Sequence, residues 1–318
     1  MIHLLSPGTA DQRTGGYRYN ARLVEELRGR GRAVTVHELD GDWPNPNAAA
    51  LRAATQRVEA LRGVVIADGL LWTGLASHVS RPVVAIVHSP LWREHGAAVR
   101  APEEAALRRA AQVVCTSRRT AADLQIASPL TIVVPGTDSA PRARRPGRGR
   151  LLCVANVIER KGHDVLIEAV RRLRVPVTLR CVGSLDRDSA FAERVMAASA
   201  DLPVAWVGSL DPADVDTELA QADVLVSAAR YEGYGMAIAE GWMRGLPVVS
   251  PPAGILDGRE GGHVLVPPDD PERLAEALDR LVREPSVAEA LSEEARGMAL
   301  PSWADQAEAW LAVLGATQ

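Results

Sequence analysis

One lysine stands among the chain's 36 basic residues, and the other 35 are arginine. Where any cation would serve, this sequence uses arginine, so Lys161 marks a place where a compact ammonium on a flexible stem is wanted instead of a planar fork. The chain lacks any run of about twenty apolar residues, the length a membrane-crossing helix needs. Its start, MIHLLSPGTADQRTGG, has neither the basic residues nor the apolar stretch of a secretory signal, so a soluble cytoplasmic protein is expected. The three cysteines are odd in number and lie in apolar runs (VVCTS, LLCVAN, LRCVG) without CxxC spacing. Cys115, Cys153 and Cys181 therefore read as core residues and not as a disulfide framework or zinc ligands. No paired-aspartate motif marks a metal site, and no metal is expected. No heptad array, low-complexity tract or short repeat suggests a scaffold.

What is present is a globular chain of 318 residues, 47% of them hydrophobic, long enough for two domains of ordinary size. The net charge of −4 hides an asymmetry: residues 1–150 carry 21 basic against 13 acidic groups, the remainder 15 against 27. Between these halves SAPRARRPGRGR has no apolar periodicity and reads as an exposed connection. The expected organisation is a domain over 1–147, a second over 148–300 and a final helix over 301–318.

Both halves alternate short apolar, β-branched runs with helical patterns. IHLLS, AVTVHEL, GVVIAD, PVVAIVHS, QVVCTS and TIVVP read as strands in the first half, and LLCVAN, VTLRCVG, VAWVG, DVLVSAA, PVVS and HVLVP in the second. Such alternation predicts an α/β fold of two tandem doubly wound parallel sheets, Rossmann-like, with ligands at the strands' carboxyl ends and a cleft between the domains.

The segment ARYEGYGMAIAEGWMRGLPVVS lies at one of those ends. A strand runs into the turn RYEGYG and then into a helix from Met236. Unsatisfied N–H groups and the dipole at that helix start favour an anion, and Gly233 and Gly235 let a phosphate approach the backbone. Glu232 and Glu240 flank this point. Carboxylates repel phosphate but accept hydrogen bonds from sugar hydroxyls, so a phosphate with a sugar on each side, a nucleotide sugar, fits the pattern.

Glu, seven residues, Glu, within EGYGMAIAEGWMRGLPVV, resembles the signature of the family 4 retaining glycosyltransferases of GT-B fold. The resemblance runs through nearly the whole chain in order: TGGYRYNARLVEELRGRG, VVCTSRRTAADL, TIVVPGTD, LLCVANVIERKGHDVLIEAV, HVLVPPDDPERLAEALDRLV and a last helix, PSWADQAEAWLAVL, that in the family crosses back to the N-terminal domain. It implies roles for particular residues. Glu232 faces the transferred sugar and Glu240 the ribose; Gly235, Met236 and Ala237 act through backbone N–H groups. Lys161 binds the donor diphosphate, and Arg160 beside it is expected to face solvent. Ser209 and Leu210, in VGSLD, belong to the donor's surroundings. Gly15 and Gly16 form the loop that meets donor phosphate and acceptor, and His88 contacts the donor sugar near the reacting centre. His163 is expected only to help start a helix. Two departures stand out: Ala155-Asn156 occupies the place of the family's Gly-Arg, so one diphosphate cation is missing and Asn156 is expected to bind the donor through a hydrogen bond without offsetting its charge, and Ala228-Ala229 replaces Pro-Ser.

The activity implied is transfer of a sugar, with retention, from a UDP- or GDP-sugar to a small or carrier-linked acceptor hydroxyl. Lys161 and Glu232 would be catalytic with His88, and no cofactor is needed beyond the donor itself. Two alternatives remain: a donor-binding partner subunit with little catalysis, because of Asn156, or a nucleotide-sugar epimerase. A pyridoxal-phosphate phosphorylase is disfavoured because the sole lysine lies in the phosphate motif. Arg93, Arg100, Arg108 and Arg109 make a basic stretch, but Glu94, Glu103 and Glu104 interrupt it, so at most weak peripheral membrane contact is expected, and no nucleic-acid partner.

Overall fold

The computed structural model of the chain describes residues 1–9, 14–147 and 149–316. It divides into two compact units, Met1–Gly136 with Pro301–Gln318, and Thr137–Leu300. Each is built on a six-stranded sheet whose pairings are all parallel.

In the first unit β1 (Ile2–Pro7), β2 (Val34–Leu39), β3 (Val64–Asp68), β4 (Val84–Val87), β5 (Gln112–Cys115) and β6 (Leu130–Ile132) lie in the order β2-β1-β3-β4-β5-β6. Every residue of β1 is buried, as expected of a central strand covered on both faces. The connecting helices are α1 (Gly15–Gly29), α2 (Ala48–Ala60), α3 (Gly69–Leu75), α4 (Trp92–His95), α5 (Arg100–Leu107) and α6 (Arg118–Ala122). Leu5, Val65, Ala67, Leu71, Trp72, Leu75, Ala85, Leu107 and Val113 are among the fully buried side chains that close the core on one face of this sheet.

In the second unit β7 (Arg150–Val154), β8 (Thr178–Val182), β9 (Val204–Gly208), β10 (Val224–Val226), β11 (Val248–Ser250) and β12 (His263–Leu265) lie in the order β12-β11-β10-β7-β8-β9. This is the Rossmann order, in which the chain reverses direction across the sheet between β7 and β10. Its helices are α7 (His163–Arg172), α8 (Ser189–Ala198), α9 (Pro212–Gln221), α10 (Met236–Met243), α11 (Pro271–Arg283) and α12 (Pro285–Arg296). The last helix, α13 (Trp303–Ala316), belongs to the first unit and packs against α1. The Trp310 indole donates to Tyr19 Oη at 2.8 Å, and the Tyr19 hydroxyl donates in turn to the Val133 carbonyl at 3.0 Å.

The expected strands all form, because each is an apolar run short enough to span a sheet and is bounded by polar or glycine-rich turns. The three cysteines are free and buried. The boundary expected near residue 148 falls instead between Gly136 and Thr137. The arginine-rich stretch is tied along the second unit: Ala143 N–H donates to the Arg244 carbonyl at 2.9 Å, Arg144 N–H to that of Ala220 at 2.8 Å, and Arg142 and Arg145 both pair with Glu289. Composition shows that such a segment is polar, but not where its backbone hydrogen bonds go.

Candidate functional site

The second unit gathers its candidate residues on loops that leave the carboxyl ends of β7, β9 and β10. β7 continues through Ala155 and Asn156 to a single 3₁₀ turn, Glu159–Lys161, and then through Gly162 into α7. Gly162 has φ +66°, and a Cβ placed there would lie 2.1 Å from the Ala228 carbonyl oxygen. Only glycine lets this turn press against the loop after β10. That contact brings Lys161 across the sheet's reversal point to Glu232, with Nζ and Oε2 2.5 Å apart and the side chains 17% and 22% exposed.

Arg230 and Arg160 lace the same two loops together. Arg230 N–H donates to the Arg160 carbonyl at 2.9 Å, and its guanidinium pairs with Asp164 and Asp269 at 2.7 Å each. Arg160, expected to face solvent, is half-buried, and its guanidinium donates to the Tyr231 carbonyl at 3.0 Å. Burial alone would raise the Glu232 pKa, but the Lys161 and Arg160 charges outweigh it and hold the carboxyl below its usual range. Glu232 is thus an anion fixed against an ammonium.

Four residues on, α10 begins. Its N-cap, Gly235, has φ +104°, and no side chain caps the helix, so its first N–H groups have no intrahelical acceptor. A Cβ built on Gly235 would come within 3.5 Å of Glu232 Cγ, which sets the carboxylate beside the helix start. Met236 and Ala237 open the helix, and Glu240 lies one turn in, half-buried. An ammonium, a carboxylate and an open helix start therefore meet at the reversal point, where doubly wound sheets bind nucleotides.

Asn156, expected at the donor where the resemblance implies an arginine, accepts at Oδ1 from Ser184 N–H at 3.0 Å, tying the β7 loop to the β8 loop. Gly183 seals the same junction, since a Cβ on it would lie 2.1 Å from the Ala155 carbonyl oxygen. Ser209 and Leu210 follow β9, the serine exposed and the leucine half-buried, and no described contact joins them to Lys161 or Glu232. His163 is the first residue of α7 and is fully buried, with Nε2 3.9 Å from Cys153 Sγ and its pKa pushed down to about 4 by desolvation.

In the first unit Gly15 and Gly16 open α1, and Gly16 lies directly against His88: a Cβ there would be 2.9 Å from His88 Cδ2. His88 follows β4 and meets a residue that sequence reading passed over, Asp68, whose Oδ2 is 3.5 Å from His88 Nε2. The available signal was the position of Asp68 as the last residue of GVVIAD, at the carboxyl end of the strand beside β4. Burial holds the His88 pKa below its usual value, opposed by the charges of Asp68 and Glu94. Immediately beyond, Glu103 accepts from the Leu91 and Trp92 N–H groups, and desolvation raises its pKa to about 7. The basic stretch noted in the sequence is largely compensated: Arg93 pairs with Asp123, Arg100 and Arg108 with Glu104, and Arg109 donates to the Ala76 carbonyl. No helix among the described residues is long and apolar enough to cross a membrane.

Residues 148–284 match the family model of glycosyl transferases group 1. The chain is 28% identical over 324 aligned positions to the MMP alpha-(1->4)-mannosyltransferase of Mycolicibacterium hassiacum, covering 88% of this chain and 78% of that protein. It is 30% identical over 192 positions to the GDP-mannose-dependent alpha-(1-6)-phosphatidylinositol monomannoside mannosyltransferase of Mycolicibacterium smegmatis, covering 53% of this chain and 49% of that one. The fold is shared with Anabaena Alr3699/HepE in complex with UDP and glucose, at TM-score 0.80 and 16% identity over 99% of both chains. It is shared equally with sucrose-phosphate synthase from Thermosynechococcus elongatus, at TM-score 0.83 and 20% identity over 99% of both chains. Residues 148–284 are thus similar to glycosyl transferases group 1, the relatives point the same way, and the two six-stranded parallel sheets share the GT-B fold of these structures.

Proposed function

We propose that the protein transfers a hexosyl group, with retention of configuration and without a metal ion, from a nucleotide diphosphate sugar to an acceptor hydroxyl. The observation that carries this reading is the meeting of Lys161, Glu232 and the uncapped start of α10 at the sheet's reversal point. One of the three ammonium N–H donors of Lys161 is directed to Glu232, which fixes its position and leaves two for diphosphate oxygens. As the bond to the sugar breaks, negative charge grows on the departing diphosphate, and Lys161 with the helix-start N–H groups stabilises it, the work a divalent cation does in other transferases. Glu232 accepts hydrogen bonds from hydroxyls of the transferred sugar and Glu240 from the ribose. Retention follows if the acceptor attacks from the face the diphosphate leaves, with a phosphate oxygen taking the acceptor's proton. No enzyme nucleophile is then required.

The relatives named for mannosyl transfer and for GDP-mannose, and the fold neighbour in complex with UDP and glucose, make GDP-mannose and UDP-glucose the first donors to test. A thermal-shift panel of GDP-, UDP- and ADP-sugars identifies the donor, since a ligand bound only by the folded state raises the melting midpoint. Proton NMR of the product's anomeric signal then reads the stereochemistry, with and without EDTA. An inverted product, or turnover that collapses in EDTA and returns with Mg²⁺ or Mn²⁺, overturns the respective half of the reading. The acceptor is expected to be small or carrier-linked. Binding to anionic vesicles that survives 0.5 M NaCl would contradict a merely weak membrane contact, because a screened surface attraction fades at that salt.

A further inference from the structure

Asp68 does more than end a strand. β3 and β4 are adjacent and parallel, with Asp68 in register with Ile86, so the groups leaving their carboxyl ends meet. His88 Nε2 lies 3.5 Å from Asp68 Oδ2, and the two side chains are only 18% and 13% exposed. The other Asp68 oxygen accepts from Leu70 N–H at 2.9 Å as the N-cap of α3, so the carboxylate cannot turn away without uncapping the helix. His88 is equally confined. Gly16 lies against one edge of its ring, Tyr19 packs edge-on with ring centroids 5.1 Å apart, and the Thr116 hydroxyl donates to the His88 carbonyl at 3.1 Å.

The charged groups acting on the ring are Asp68, from the end of β3, and Glu94, from α4. Tyr19, from α1, stays neutral because burial pushes its phenol well above its usual range. Burial favours a neutral imidazole, which carries one N–H and one lone pair. Nε2 is buried and makes no hydrogen bond, with the Asp68 oxygen 3.5 Å away: a proton on Nε2 is attracted by that carboxylate, whereas a proton on Nδ1 would leave the Nε2 lone pair beside a carboxylate oxygen, an arrangement of two acceptors with no donor. We propose that Asp68 is a positioning residue that holds neutral His88 in its Nε2–H tautomer, so that Nδ1 is presented as a hydrogen-bond acceptor for a hydroxyl of the sugar substrate. The sugar half of this proposal rests on the assignment of His88 to the sugar site; the tautomer does not.

Asp68→Asn separates the two. Asparagine keeps an oxygen for Leu70 N–H, so α3 stays capped, and presents an amide N–H to Nε2, which must then accept. The imidazole proton moves to Nδ1. In full-length protein with ¹⁵N-labelled histidine and no ligand, the wild-type His88 signals are expected to show Nε2 protonated and Nδ1 bare, and those of Asp68→Asn the reverse. A wild-type ring protonated on Nδ1, or a pattern unchanged by the substitution, overturns the positioning role whatever the activity does. With the donor identified as above, Asp68→Asn is expected to lower kcat about tenfold or more, with a smaller change in donor KM, the size of effect that misplacing one proton-matched contact produces. A reversed tautomer with unchanged kcat refutes the role of Nδ1 toward the substrate. His88→Ala with unchanged turnover would instead remove His88 from the sugar site, leaving the tautomer measurement to judge Asp68 alone.

Discussion

Replacing Lys161 with alanine removes the cation on which the proposed donor site is centred, and its consequences divide between binding and stability. On the binding side, a charge-assisted hydrogen bond contributes about 1.5–3 kcal/mol. At 1.4 kcal/mol per decade, the donor Kd should therefore rise roughly 10- to 150-fold. On the stability side, Lys161 and Glu232 are 17% and 22% exposed, so the pair is neither a fully solvated ion pair nor a deeply buried one. Arg160 remains as a second charge acting on Glu232 and limits the loss to about 1 kcal/mol. The folded pKa of Glu232 is depressed. Its stabilising contribution is therefore fully present above the ordinary glutamate value of about 4.3 and is lost as pH falls through the lower folded value. The melting difference between wild type and Lys161→Ala should consequently be larger at pH 7 than at pH 3. Isothermal titration of the donor or its nucleoside diphosphate, with melts at the two pH values, measures both effects. Lys161→Arg extends the test: a guanidinium fork restores the charge but not the compact geometry, and binding should stay impaired. Wild-type donor affinity in Lys161→Ala would refute the diphosphate assignment, and a melting difference that grows toward acid would refute the linkage.

Gly162→Ala should destabilise the second unit by about 3 kcal/mol or more, read by denaturant unfolding, because the left-handed φ and the Ala228 carbonyl 2.1 Å from the new Cβ leave no rotamer escape. Under the proposed function the half-buried Glu240 carboxylate accepts from the ribose hydroxyls, so Glu240→Ala should raise the donor KM roughly tenfold or more, read by steady-state kinetics. Glu103 has a folded pKa raised to about 7. Charging it costs the folded state more than the unfolded one, so wild-type stability should fall between about pH 4.5 and 7, and this slope should be absent in Glu103→Gln. Melting curves across that range decide the point.

Much of the candidate donor site was legible in the sequence because it is local. Glu232, Gly235 and Glu240 sit within nine residues, spaced by one turn and the start of one helix. Lys161 stands out by composition as well as by its motif. The first-unit site was only half legible: Gly16 and His88 follow recognisable strands, but Asp68 reads as an ordinary helix cap until β3 and β4 are laid side by side. Arg160 was misjudged for a related reason, since its partner is the Tyr231 carbonyl, 71 residues away. Asn156 shows the converse: its identity reveals that a cation is missing, but not that its amide oxygen is occupied by Ser184 N–H.

The sequence by itself therefore determined the class of fold, the succession of strands and helices and the glycine-rich turn that opens α10. These depend on periodicity, on glycine's conformational range and on residue type, all of which act over a few positions. Tertiary structure alone decided which strand ends become neighbours, and so which side chains pair: Lys161 with Glu232 across β7 and β10, Asp68 with His88 across β3 and β4, and the arginine-rich segment with the second unit. Pairing across a parallel sheet joins residues that are remote in the chain. The order of the strands that brings them together is set by the packing of the whole core, which no short stretch of sequence encodes.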